Sequence, residues 1–472
     1  MAVLLDLSPE LITAILEYLA PVSESLDNIC LVGNHNLLTL ARPYTWREIN
    51  ITFRNDRRQD RKNQEASQAL ADRLHGFCCD STKVAAVRSL NITLVGVFDN
   101  RAPAVLELFE NYQRFVNVTH ASVCCIRSNG GLWAQPRFIT SLVEGLPSLL
   151  SLSVDGCLDS FHRGPEIMAD HPIPPLRHLA VRFCNTEGVG GIWSYCSNLQ
   201  VVEMAGGRAD RFLQRNTSYT SEEIQNWLDD PSNCRTGAYD ILYKPKETPE
   251  RSAVFDTATT VKLVSDSEFS NYCDSEAWFL LDYFEERENQ NFGPSPSLKE
   301  FVLDFFISVK IFRGILYGIR SPVIERVAFT GFDEKHWIPA EFDEFIAEIS
   351  KDGGLFFSSF QSLTELLLPC DGILPETLNL FPSLLAHAPT LRYLYFGSGG
   401  SDRGDLIPPA RKYAGAISTL QSVSWRNKST FHIIRDSGVL GPPRLRETPY
   451  AAPSWQQWNG IGKWWEIQRA AT

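Results

Sequence analysis

The 472-residue sequence lacks several features that would place it quickly in a class of proteins. It has no run of about 18 apolar residues, so no segment of it is expected to span a bilayer. Basic side chains are outnumbered, which gives a net charge of −12, whereas a general nucleic-acid binder needs a basic surface to neutralise phosphates. We therefore expect neither a membrane nor a nucleic acid among its partners.

Its 11 cysteines include no CxxC spacing, and the 9 histidines show no metal-ligand spacing. The scattered thiols favour reduced, buried cysteines and a cytoplasmic or nuclear location, or both. P-loop, HExxH and GxSxG motifs are also absent, so we expect no enzyme, no catalytic residues, no metal and no cofactor. One glycine-rich turn at 397–401 follows a predicted strand, and it is either a plain loop between repeats or a phosphate cradle of a nucleotide-dependent enzyme.

What the sequence does contain is apolar residues, at 44% of the chain, in a recurring pattern. From about residue 84 the spacing apolar-x-x-apolar-x-apolar returns, in several stretches at steps of roughly 23 to 29 residues. The copies begin at Val87, Leu149, Leu176, Leu199, Leu298, Ile324, Leu363, Leu391 and Leu420.

The alternation within each copy predicts a short strand with one buried face, and the rest of each step has room for a helix or an irregular return. Such a unit cannot bury its apolar face alone, so the copies are expected to stack into a curved solenoid with a parallel sheet. The alternative is an ordinary α/β domain with chance matches. A longer interval near 206–296 predicts a polar and acidic insertion, with a degenerate copy around Val261 and Leu263.

The polar strand positions between the apolar ones are predicted to face the concave surface, where they are candidates for substrate binding. They mix both charges with aromatic rings, as suits a protein ligand. These candidates are Asp155, His178, Arg182, Glu203, Glu300, Asp304, Arg326, Tyr393, Tyr395 and Arg426.

The N-terminal segment carries a different, helical pattern. Ser8 is expected to cap a helix, Pro9 suits its first turn, and Leu11, Ile12, Ile15, Leu16 and Leu19 form one apolar stripe. The segment is too short to bury a large core, so part of its apolar surface is expected to await a partner.

Residues 5–51 resemble an F-box, and the likeness is carried by specific positions. These are Leu7, Pro9-Glu10-Leu11-Ile12, Ile15-Leu16, Leu19, Leu26, Leu31-Val32, Leu40-Ala41-Arg42-Pro43 and Trp46. The remainder is similar to the divergent leucine-rich repeats of fungal F-box proteins. The resemblance implies a substrate-recognition subunit of a Skp–cullin–F-box ubiquitin ligase, with the Skp adaptor, the cullin and RING subunits and an unknown protein substrate as partners. The adaptor contacts it implies are Leu7, Pro9, Ile15, Leu16, Leu31, Val32 and Trp46.

The fold class expected is therefore α/β, a small helical F-box followed by a leucine-rich-repeat solenoid. The boundaries are 1–52 for the F-box, 53–83 for a linker and helix, 84–440 for the solenoid, and 441–472 for a Trp-rich cap or tail. The alternative function is a repeat scaffold that binds proteins without assembling a ligase, its N-terminal segment serving as a cap.

Overall fold

We describe the fold from a computed structural model of the full chain. The structure describes residues 8, 11–12, 15–16, 40–41, 44–55, 60–96, 102–126, 137–155, 176–182, 198–205, 257–264, 297–307, 309–332, 339–351, 355–368, 379–397, 406–426, 428–435 and 442–450. They fall into two units, divided between Cys196 and Ser197.

Unit 1 contains a parallel sheet whose strands are paired in chain order. The strands are β1 (Glu48–Asn55), β2 (Ser89–Gly96), β3 (His120–Ile126), β4 (Ser151–Asp155) and β5 (His178–Arg182). The helices described in this unit are α1 (Asp60–Cys78), α2 (Ser81–Ala86), α3 (Pro103–Asn111) and α4 (Arg137–Gly145), and a 3-10 turn spans Tyr112–Arg114.

Unit 2 contains parallel strands followed by two antiparallel strands. Strands β6 (Val201–Ala205), β7 (Thr260–Val264), β8 (Glu300–Ile307), β9 (Arg326–Phe332), β10 (Glu365–Leu368), β11 (Tyr393–Phe396) and β12 (Ser422–Trp425) are parallel. The last two strands, β13 (Ser429–Ile434) and β14 (Arg444–Pro449), pair antiparallel and end the sheet. Its helices are α5 (Val309–Gly318), α6 (Pro339–Lys351), α7 (Leu355–Ser358), α8 (Phe381–Leu385) and α9 (Ile407–Ala416).

The predicted repeat explains why these strands form where they do. Wherever the structure describes the side chain, the three apolar positions of each of the nine predicted copies are buried. Register joins equivalent positions, so that Leu366 of β10 lies opposite Leu394 of β11 and Leu394 lies opposite Val423 of β12. Stacked apolar rows of this kind bury a face that no single repeat could bury. The α/β class and the repeat-built parallel sheet are thus confirmed.

Three further strands obey the same rule but were not predicted as regular copies. Val118-x-x-Ala121-x-Val123 forms β3, and Ala258-x-x-Val261-x-Leu263 forms the degenerate copy β7. In β1 the pattern is Trp46-x-x-Ile49-x-Ile51, and Ile49 lies opposite Leu90. This strand begins inside the segment that resembles an F-box and continues into the predicted linker.

Backbone hydrogen bonds at the start of each strand fix the stacking distance. A single carbonyl accepts two successive N–H groups from the next repeat, as Thr364 O does from Arg392 and Tyr393 and Arg392 O does from Gln421 and Ser422. This fork recurs from β1 to β5 and again from β6 to β12. It satisfies polar groups that the buried turn would otherwise leave unpaired.

Candidate functional site: the polar face of the sheet

The strand residues between the apolar positions lie on the second face of the sheet, here called the polar face. In unit 1 its first row joins residues placed opposite one another by register: Glu48, Ser89, His120, Ser151 and His178. In unit 2 the equivalent row contains Thr260, Glu300, Arg326, Glu365, Tyr393 and Ser422. Side chains of both charges are thus aligned across successive repeats, as the sequence predicts.

In unit 1 the middle of this row is buried, and its imidazoles lie within hydrogen-bonding distance of hydroxyl groups. Ser151 Oγ and His178 Nδ1 lie 2.6 Å apart, and both side chains are buried. The neighbouring imidazole, that of His120, lies 2.7 Å from Thr119 Oγ1 through its own Nδ1. A hydroxyl group therefore partners the Nδ1 atom of each of these two imidazoles.

Burial also decides the charge of His120. Loss of hydration, and secondarily the positive charge of Arg47, lowers the pKa of His120 to about 4. The imidazole is consequently neutral throughout the physiological range. It cannot serve there as a cationic contact for an acidic ligand.

Unit 2 buries charged groups on the polar face. Lys262 Nζ lies 3.0 Å from Glu300 Oε1 and 3.7 Å from Glu203 Oε1, and all three side chains are buried. The second oxygen of Glu300 lies 3.3 Å from Arg326 Nε. The four residues form a chain of alternating charge, here called the charge chain.

Register explains how the charge chain assembles. Lys262 lies directly opposite Glu203, and it reaches Glu300 diagonally because Glu300 is opposite Thr260. Cross-strand neighbours of opposite charge stabilise a sheet, and buried charges must be paired to be tolerated. Lys262 was not among the site residues predicted from the sequence. Its place between the apolar residues Val261 and Leu263 nevertheless predicts that it lies on the polar face.

From β9 to β11 the polar face is partly accessible. Arg326, Glu365, Tyr393 and Tyr395 are half-buried, and Gln421 is exposed. Tyr393 donates its hydroxyl hydrogen to Gln421 Oε1 at 2.8 Å. Here tyrosine rings and an arginine stand within reach of a ligand, and both residue types are enriched at protein interfaces.

Tyr395 links this accessible part to a buried apolar cluster. Its ring packs against Val302, Ala328 and Leu367, which lie in one row of β8, β9 and β10. Burial first, and then the negative charge of Glu365, raises the pKa of the Tyr395 hydroxyl. The phenol therefore stays protonated and able to donate a hydrogen bond.

The structure separates the predicted substrate residues into three groups. His178, Glu203 and Glu300 are buried, which corrects the expectation that they form an open surface: their neighbours on the polar face pair with them instead. Those that remain accessible are Arg326, Tyr393, Tyr395 and Arg426. The side chains of Asp155, Arg182 and Asp304 lie outside the described residues, although their backbones belong to β4, β5 and β8.

The segment that resembles an F-box has described residues on two sides of a helix. The Leu11 amide reaches Ser8 Oγ at 3.5 Å, as expected of the predicted cap, and residues 11–12 and 15–16 are helical. Ile12 and Leu16 are buried, whereas Leu11 is 54% exposed and Ile15 is half-buried. Pairs at spacing i, i+4 share one face of a helix, so the helix buries one apolar face and leaves another uncovered.

Of the other implied adaptor contacts, Leu7, Pro9, Leu31 and Val32 lie outside the described residues. Trp46 is half-buried at the first apolar position of the β1 repeat, with Lys83 Nζ 5.4 Å from its ring centroid. This cation–π contact ties the indole to the repeats of unit 1. The Trp-rich segment after residue 450 and most of the predicted insertion also lie outside the described residues.

The glycine-rich turn at 397–401 begins directly after β11. The Gly397 N–H donates to Leu368 O at 2.8 Å, so this amide is already used in the sheet, and residues 398–401 lie outside the described part of the chain. Among the described residues, no group of three His, Cys, Asp or Glu side chains is placed to hold a metal ion. The helices described also include none with the length and apolarity needed to cross a bilayer.

Comparisons with known proteins place few constraints on this chain. No protein-family model matches it, and no curated protein matches it. Among solved structures, it is similar to the crystal structure of the leucine-rich repeat-containing protein LegL7 from Legionella pneumophila. That likeness has 13% identity and a TM-score of 0.29, and it covers 80% of this chain and 91% of the other.

Proposed function

We propose that this protein is a substrate-recognition subunit of a Skp–cullin–F-box ubiquitin ligase. Residues 5–51 would bind the Skp adaptor, and the accessible part of the polar face would bind a protein substrate. The subunit makes and breaks no bond itself in this role, because holding a substrate beside a ubiquitin-charged enzyme supplies the rate gain.

One observation supports adaptor binding most directly. Leu11 is 54% exposed on a short helix whose opposite face, at Ile12 and Leu16, is already buried. An apolar side chain held outward by a packed helix is suited to docking on another apolar surface. The resemblance of the segment to an F-box names the partner class.

The substrate side of the proposal rests on the graded burial of the polar face. Glu203, Lys262 and Glu300 are buried against one another, whereas Arg326, Tyr393, Tyr395 and Arg426 remain accessible. Tyrosine and arginine are the residues most enriched at energetically important positions of protein interfaces.

A capture assay with a purified Skp adaptor tests the proposal. The wild-type chain is expected to bind, and Leu11→Asp is expected to weaken binding by at least about tenfold, because it places a charge in an apolar contact. Leu106→Asp is the matched control, since Leu106 is 45% exposed on α3, outside residues 5–51. A combined Leu7→Asp and Pro9→Ala variant probes the same contact.

Failure of the wild-type chain to bind the adaptor, or equal binding by wild type and Leu11→Asp, would overturn the ligase role. The second candidate, a repeat scaffold, is favoured by the same accessible polar face. It predicts that a chain lacking residues 1–44, which retains Trp46 and β1, still captures its protein partner but recovers no cullin.

A further inference from the structure

We propose that Cys79 is a peroxide-reactive thiol, activated by His75 and Glu107 through a relay on the surface of unit 1. Cys79 Sγ lies 3.6 Å from His75 Nε2, and His75 Nδ1 lies 3.0 Å from Glu107 Oε1. The three side chains form a nucleophile, a base and an orienting acid in hydrogen-bonding order. This site is separate from the polar face and does not depend on ligase assembly.

Two helices build the relay. His75 lies in the last turn of α1 and Cys79 follows four residues later, so that both face the same side, and the Cys79 N–H bonds to His75 O at 2.9 Å. Glu107 comes from α3, which packs beside α1. Contact between elements far apart in sequence makes the arrangement a product of the fold rather than of chance neighbours.

Hydrogen bonding fixes the tautomer of the imidazole. An ionised carboxylate only accepts, so Glu107 requires a proton on Nδ1 and leaves the Nε2 lone pair directed at the thiol. Glu107 is itself held, because Asn111 Nδ2 donates to its Oε1 at 2.8 Å and to its backbone oxygen at the same distance. The relay is therefore set up to take the thiol proton.

The neighbouring charged groups are occupied elsewhere. Asp80 accepts hydrogen bonds from the Thr82 and Lys83 amides at the start of α2, and its carboxylate pairs with Lys83 Nζ at 3.3 Å. Arg114 donates to Cys78 O at 2.9 Å. His75 is thus the base closest to the thiol among the contacts of the described residues.

Adjacent Cys78 provides an internal contrast. Its side chain is buried, and burial together with the charge of Glu107 raises the pKa of the Cys78 thiol to about 11. At neutral pH Cys78 is therefore protonated and covered, whereas Cys79 is exposed beside a base. Two consecutive thiols in one chain therefore differ in exposure and in having a base beside the sulfur.

The reaction is oxidation by a hydroperoxide. As His75 Nε2 takes the thiol proton, the sulfur electron pair attacks one peroxide oxygen, an S–O bond forms and the O–O bond breaks. The proton passes from His75 to the departing oxygen, which leaves as water when the oxidant is hydrogen peroxide. Sulfur is oxidised by two electrons to a sulfenic acid and the peroxide is reduced by two. Small, uncharged hydrogen peroxide suits a site flanked by carboxylates.

Treatment of the full chain with hydrogen peroxide, followed by trapping of sulfenic acid with dimedone and peptide mass spectrometry, tests the assignment. Cys79 is expected to be labelled at least about tenfold faster than Cys78, and His75→Ala is expected to slow its labelling by about tenfold. The His75 side chain is 68% exposed, so this substitution leaves the packing of α1 intact.

Two further arms separate chemistry from structure. Added imidazole is expected to restore much of the lost rate in His75→Ala, which a purely structural role of His75 would not produce. Glu107→Gln is expected to slow labelling about threefold, with Glu110→Gln, an exposed position on the same helix, as the unchanged control. Equal labelling of Cys79 in wild type and His75→Ala, or a rate no higher than that of Cys78, would overturn the proposal.

Discussion

The two units differ in how buried polar side chains are paired on the polar face. In unit 1 the buried row joins Ser151 to His178 by a hydrogen bond between a hydroxyl group and an imidazole. In unit 2 the equivalent burial is achieved by charges, with Lys262 held between Glu203 and Glu300. Neutral pairs lose little hydration on burial, whereas ions lose a great deal and depend wholly on their partners. Loss of a partner is therefore expected to cost more in the charge chain of unit 2 than in the hydroxyl–imidazole pair of unit 1.

The largest expected effect comes from breaking the charge chain. Lys262→Met keeps the length of the side chain but removes the buried cation that lies beside Glu203 and Glu300, so we expect a loss of about 3–5 kcal/mol in the free energy of unfolding. Urea titration of the intact chain measures it. The matched control is Lys299→Met, whose partner Glu325 lies 3.1 Å away, with side chains 57% and 37% exposed. Its cost is expected to stay below about 1 kcal/mol.

A combined variant sharpens the same point. Glu203→Gln, Lys262→Met and Glu300→Gln together remove all three charges, so no ion remains buried without a partner. We expect the combined variant to be more stable than Lys262→Met alone, because it no longer buries two carboxylates that have lost Lys262. If all three substitutions simply add their costs, the charge chain does not act as a unit.

The second effect belongs to unit 1 and depends on pH. The pKa of His120 is about 4 in the folded protein, below the ordinary value near 6.5, so between these pH values the unfolded chain binds the extra proton. Stability contributed by neutral His120 is therefore fully present above about pH 6.5 and is lost as the pH falls towards 4, by about 3 kcal/mol in all. Unfolding curves of wild type and His120→Gln at several pH values should converge on acidification.

The smallest expected effect is at the accessible end of the polar face. Tyr393→Phe removes the hydroxyl that donates to Gln421 but leaves the ring in place, so the change in unfolding free energy is expected to stay within about 0.5 kcal/mol. A thermal melt suffices to measure it. A loss as large as that of Lys262→Met would show that this end, too, is part of the structural framework.

Much of the fold could be predicted from the repeat, because burial of alternate apolar residues dictates both strand and stacking. The strands that were not predicted as regular copies have physical reasons for their weaker pattern. Ala121 and Ala258 are small enough to weaken the apolar signal, yet both are buried in the stack. The pattern beginning at Trp46 was present, but it lies within residues 5–51 and was interpreted as part of the F-box.

The candidate site was less predictable, because alternation tells which face a side chain takes but not whether that face is open. Glu300 and Arg326 lie opposite each other at the same position of neighbouring repeats, and one is buried while the other is half-buried. The relay of Cys79 and His75 had a local signal, the i, i+4 spacing at the end of a helix. Its third member, Glu107, could be found only in the folded chain.

The antiparallel hairpin of β13 and β14 has a consequence for how this protein meets others. Arg435 fastens the end of β13 to the carbonyls of Ala414 and Ile417 at the end of α9, each at 2.8 Å. The outermost strand carries exposed arginines and closes with Pro449, which offers no N–H to a further strand. Pairing of a further strand, including one from another copy of the chain, is thus disfavoured along β14.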